Sequence, residues 1–68
     1  MPFANLKVPA GTLTPEQKQE MVTTITDMYA NTYGEQARQN TMVLVDEVLD
    51  GGWGISGGVL TASMLNGE

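Results

Sequence analysis

Residues 14–34, TPEQKQEMVTTITDMYANTYG, decide how this chain folds. Thr14 is a strong N-cap, Pro15 suits the first helical position, and Gln17 completes a Thr-x-x-Gln capping box. Glu16 in the first turn complements the helix dipole. Met21, Val22, Ile25, Met28, Tyr29 and Tyr33 recur on one stripe at helical spacing. Gly34 is a natural left-handed stop. The pattern predicts a helix over 15–33, about 28 Å long at helical rise, enough to cross a pair of strands.

A strand is expected on either side. Residues 2–8 carry Phe3, Ala4, Leu6 and Val8 as apolar content, with Asn5 and Lys7 on one alternate face. Seven residues span roughly 23 Å at strand rise. Pro9, Gly11 and Thr12 break this strand, and residues 35–40 read as a polar connection. Residues 41–48 form the second strand. Its nearly continuous apolar run, Met42–Val45, predicts burial on both faces. Strand, helix, strand with short loops is a parallel, right-handed βαβ unit. Beyond Asp50 the chain is glycine-rich and then apolar around Val59, Leu60 and Leu65. A short hairpin or arm packing on a neighbouring subunit fits it.

With 68 residues, the chain makes one α/β domain over 1–68. A core this small rarely supplies more than about 3–5 kcal/mol. No cysteine is present for disulfides, and without histidine or cysteine no zinc site is expected. A two-stranded sheet with one helix cannot close a core, so an oligomer is predicted. Three basic against eight acidic residues, a net charge of −5, argue against nucleic acid or an anionic membrane as partner. There is no apolar run long enough to span a bilayer and no signal-peptide pattern. The expected setting is the cytoplasm, where lack of cysteine causes no difficulty.

The candidate base is Pro2. Removal of Met1 would leave a secondary amine on a rigid ring, and α-amino groups have pKa values of about 7.7–8.0, far below lysine. Such an amine is suited to general-base work at neutral pH. With Met1 attached, Pro2 is a tertiary amide without basicity. The plain alternative is a tolerated second residue. Trp53 either packs an interface or lines a pocket, and both can hold. Arg38, the single arginine, is by default solvated in its loop. Its functional alternative is to reach a site across an interface. Lys7 carries the same pair of readings.

Other signals have structural readings. Lys18 falls on the apolar side of the helix and is expected to snorkel, while Met21, Met28, Met42 and Met64 serve as adaptable filler. Asp46 and Glu47 are neighbours on a strand and point to opposite faces, so no acid–base pair is expected. Gly52, Gly54 and Gly57 spell G-x-G-x-x-G. A dinucleotide site needs a helix opening there within a longer βαβ unit, and too little chain follows. Turns with positive φ are the expected use of these glycines.

Several segments, in order, carry a resemblance: the Met-Pro start and short strand, the Gly11 loop, TPEQK at 14–18, MVLVDE at 42–47 and WGISGG at 53–58. Together the chain resembles the 4-oxalocrotonate tautomerase family of the tautomerase superfamily. The resemblance implies a β-α-β monomer assembled as a homohexamer, or trimer of dimers, with active sites shared between subunits. It implies proton transfer by Pro2 as general base, an aromatic wall at Trp53, a small carbonyl substrate and no cofactor. The sequence departs from the family where Thr12 and Leu13 replace one substrate-gripping arginine and Met42 occupies the place of a second. A charged hydrogen bond is worth about 1.5–3 kcal/mol, so a dicarboxylate is disfavoured and an apolar, neutral or monoacidic enolisable compound is expected. The rival readings are a hydratase or dehalogenase of the same superfamily, which would want a carboxylate to orient water, and a non-catalytic oligomeric module with the same fold.

Overall fold

The helix begins and ends where its signals lie. In the computed structural model, which describes residues 1–65 apart from the side chains of Ala62 and Leu65, α1 spans Pro15–Tyr33. Thr14 Oγ1 accepts from the Gln17 amide at 3.1 Å, and the Thr14 amide donates to Gln17 Oε1 at 2.9 Å. Both arms of the capping box therefore form. At the other end, the Gly34 N–H donates to the Ala30 carbonyl at 2.9 Å. Gly34 has φ 107° and ψ 159°. It stops the helix outside the left-handed helical region, in a conformation open essentially to glycine alone.

Strand β1 (Phe3–Pro9) pairs in parallel with β2 (Met42–Val48), in register from Phe3 opposite Met42 to Pro9 opposite Val48. The expected break at Pro9 does not occur there. In a two-stranded sheet β1 is an edge, so the missing proline donor interrupts no ladder. The Ala10 N–H resumes the pairing with the Val48 carbonyl at 2.8 Å. Residues 35–40, expected as a polar connection, form a 3₁₀ helix, Glu35–Asn40. The Ala37 N–H donates to the Gly34 carbonyl at 3.0 Å, and Thr41 Oγ1 donates to the Ala37 carbonyl at 2.9 Å.

The predicted C-terminal hairpin is present as β3 (Trp53–Ile55) and β4 (Gly58–Leu60), antiparallel, followed by one helical turn, α2 (Ala62–Leu65). Its two-residue turn holds Ser56 at φ 52° and Gly57 at φ 83°, the signs a type I′ turn requires. Of the G-x-G-x-x-G glycines, only Gly57 has positive φ. Gly52 is required for close approach instead, since a Cβ there would lie 2.6 Å from Val48 Cγ1. Gly54 lies within β3. The Leu65 side chain, expected to add to the apolar tail, lies outside the described residues.

The sheet has two unlike faces. Ala4, Leu6, Val8, Val43 and Val45 share the half-buried side, and α1 packs on β2. Phe3, Met42 and Leu44 share the other and remain 52%, 51% and 46% exposed. The second cover predicted for the run Met42–Val45 does not come from the described residues of this chain. Only Ala30 and Ala37 are buried among the described residues, and neither completely. The radius of gyration, 14.9 Å, compares with about 11 Å for a compact domain of this length. The accessible surface is 4922 Å², against about 4,200 Å² for a monomer of this mass. The excess is close to the roughly 800 Å² that one partner buries in a standard interface.

Candidate active site

Pro2 stands immediately before β1, with its carbonyl fixed by the Met42 N–H at 2.9 Å. It opens on a cavity of about 460 Å³ lined by Met1, Pro2, Tyr33, Gln36, Ala37 and Asn40. Three elements meet there: the start of β1, the end of α1 and the 3₁₀ helix. The Tyr33 ring stacks on Tyr29 with centroids 6.2 Å apart and planes 19° from parallel. Tyr29 in turn makes a long 3.4 Å contact from its hydroxyl to the Phe3 carbonyl. The end of the helix is thereby tied to the start of the strand.

The 3₁₀ helix sorts its residues by its period. With three residues per turn, positions i and i+3 eclipse. Ala37 and Asn40 fall on one row beside Gln36 and face the cavity, while Glu35 and Arg38 share another row. Arg38 donates from Nε to Glu35 Oε1 and from Nη1 to Asp27 Oδ1, both at 2.6 Å. It clamps the 3₁₀ helix to α1. The guanidinium holds the Glu35 carboxyl below its ordinary range, and Glu35 and Asp27 together push the Arg38 pKa further up. No charged side chain lines the Pro2 cavity.

The other cations are also paired. Lys7 Nζ lies 2.5 Å from Asp46 Oδ2 across the open sheet face. Lys18 reaches Glu47 Oε2 at 2.8 Å, in place of the expected snorkelling to solvent. The Glu47 carboxyl is held below its usual range mainly by Lys18, and the Gly11 backbone also donates to it. Glu47 thus fastens the 10–14 loop and α1 to the end of β2.

The structure gathers only part of the candidate set. Pro2 lies in the cavity, but Lys7, Arg38, Met42 and Trp53 do not line it. Met42 touches Pro2 through its backbone N–H, while its side chain lies on the open sheet face. Trp53 follows the C-terminal end of β2, whereas Pro2 precedes the N-terminal end of the parallel β1. Six strand steps separate those ends by about 20 Å. The Trp53 Nε1 atom is buried with no hydrogen-bond partner among the described residues, so only its ring is left to meet another molecule. Tyr33, Gln36 and Asn40 escaped sequence reading. Tyr33 reads as part of the helical stripe, and a three-residue period at 35–40 would have been needed to set Asn40 on the row of Ala37, beside Gln36. A second cavity of about 430 Å³, near Leu6, Leu13, Met21 and Ile25, includes no residue of the amino terminus.

Comparison with known proteins bears on the family and the fold. Residues 2–63 match the family model described as tautomerase enzyme. The chain is 34% identical over 61 residues, 90% of each chain, to a probable tautomerase K2 of Dickeya dadantii (strain 3937). Among solved structures it is similar to a 4-oxalocrotonate tautomerase isozyme from Methylibium petroleiphilum. That likeness has a TM-score of 0.74 and 30% identity, covering 94% of this chain and 97% of that one. DmpI from Helicobacter pylori gives a TM-score of 0.74 at 28% identity, covering 98% of both.

Proposed function

The chain belongs to the tautomerase family and is a tautomerase-type enzyme; on that premise we propose that it isomerises a small enolisable carbonyl compound with Pro2 as general base. The observation that carries this reading is the cavity at Pro2, which is lined by neutral polar side chains and by no carboxylate or cationic side chain. Met1 is removed first, which converts the Pro2 amide nitrogen to a free amine. An α-amino group is partly unprotonated at neutral pH. It takes a proton from the carbon beside the carbonyl, breaking the C–H bond. The electron pair moves into the new C=C bond and onto oxygen. The Pro2 ammonium then returns the proton at a different carbon of the conjugated system. In the enol-to-keto direction Pro2 instead takes the enol hydroxyl proton and delivers it to carbon as the C=O bond forms, and no cofactor takes part.

A hydratase or dehalogenase would want a carboxylate to orient water, and none lines this cavity. The isomerase is favoured on that ground. We assign the functional unit to a homohexamer built as a trimer of dimers. The bare sheet face of Phe3, Met42 and Leu44 and the surface excess support association. In such an assembly Trp53 on the hairpin of a neighbouring copy adds a second aromatic wall to the one that Tyr33 supplies in Pro2's own chain.

The test has two steps. Intact mass of the protein from its native host is expected to lack methionine; complete retention there removes the base. Enol-to-keto conversion of phenylenolpyruvate is then compared for the Met1-free enzyme and Pro2→Ala. A loss of at least about 100-fold is expected, within the 10²–10⁴ typical of acid–base groups. Equal rates for the two proteins end the general-base reading.

A further inference from the structure

The 3₁₀ helix puts two carboxamides beside Pro2 while turning its arginine away. Gln36 and Asn40 line the cavity, whereas Arg38, two residues from each, is spent on Asp27 and Glu35. Asn40 makes no side-chain hydrogen bond among the described residues. Gln36 has only a 3.5 Å contact from Nε2 to the Tyr33 carbonyl, the limit at which such a bond counts. Both amides therefore have N–H donors free for a ligand. The exposed Tyr33 ring, stacked on Tyr29, lines the same cavity.

Building on the general-base reading above, we propose that Asn40, with Gln36 beside it, donates the hydrogen bonds that receive the substrate oxygen as Pro2 takes the proton, and that this neutral site selects an uncharged carbonyl compound with an aryl or apolar substituent against Tyr33. When the C–H electron pair moves toward oxygen, negative charge grows there. An amide N–H that donates to that oxygen stabilises the transition state more than the ground state. A carboxylate on the substrate meets no lysine or arginine of this chain in the cavity and loses part of its hydration on entering it. The discrimination arises from what lines the site.

The experiment uses the Met1-free oligomer, with folding of each variant checked by circular dichroism. Asn40→Ala and Asn40→Asp are compared with wild type on the enol of an aryl acetaldehyde, which is uncharged, and on a dicarboxylate dienol. Wild type is expected to show at least about tenfold higher kcat/KM on the uncharged probe. Loss of an oxyanion donor costs about 10²–10³ in kcat in an enclosed site, and in this open cavity about 10–100-fold is expected for Asn40→Ala, with KM within about threefold. Asn40→Asp, equal in shape but carrying a charge and lacking the donor, falls at least as far. Asn40 variants within twofold of wild type, or a preference for the dicarboxylate, overturn the proposal. Pro2→Ala in the same assay separates the two readings: active Asn40 variants beside a dead Pro2 variant leave the base standing, while an active Pro2 variant removes it.

Discussion

Replacing Gly34 by alanine tests the junction on which the candidate site is built. Gly34 combines φ 107° with ψ 159°, a region that costs a residue with a Cβ about 1–3 kcal/mol. The new Cβ would also stand 2.8 Å from Gln36 Oε1 and 2.9 Å from Nε2. That contact is the lesser effect, because the far end of a flexible side chain can swing away from a weak 3.5 Å interaction. Alanine also reduces the freedom of the unfolded chain, returning about 0.4–1 kcal/mol. The net expectation is a loss of about 1.5 kcal/mol, which lowers Tm by roughly 6–12 °C in a domain of this size. Thermal and urea unfolding should be compared at equal protein concentration, since self-association adds concentration-dependent stability. Gly34→Ala/Gln36→Ala should be no more stable than the single variant, because backbone strain remains. A change under 0.5 kcal/mol, or full recovery in the double variant, would refute the argument that strain dominates.

Leu44→Lys places an ammonium in the bare sheet face opposite Asn5. Burying that charge costs several kcal/mol if the face is an interface, so sedimentation velocity should show at least about tenfold weaker association. Unchanged mass and affinity would exclude this face. The ion pair of Lys18 with Glu47 gives a pH signature. The folded Glu47 pKa lies below its ordinary 4.5, so its contribution is present above the unfolded value and disappears as pH falls through the folded one. Lys18→Met should raise the Glu47 carboxyl titration toward 4.5 by NMR and flatten the loss of stability on acidification. A titration curve that does not move would show that another group lowers it.

Local signals made α1 legible from sequence to its first and last residue, because capping by Thr14 and Gln17 and the stop at Gly34 act within a few residues of chain. The parallel pairing of β1 and β2 followed almost as directly, from two apolar runs flanking one helix. Pro2 was readable as a candidate base from its position alone, and WGISGG pointed to the family. Sequence also implied a second cover for the run Met42–Val45, since two strands and a helix leave a face bare.

Tertiary structure decided which side chains share space. The 3₁₀ helix at 35–40 put Asn40 on the row of Ala37, with Gln36 beside it, at the Pro2 cavity and sent Arg38 to Asp27 and Glu35, a choice set by where the end of α1 lies. Parallel pairing put Pro2 and Trp53 at opposite ends of the sheet, so one chain alone does not bring them together. The physical reason is one of range. Caps and turns are satisfied by neighbours in sequence, whereas a cavity is formed by segments whose approach depends on the packing of every element between them.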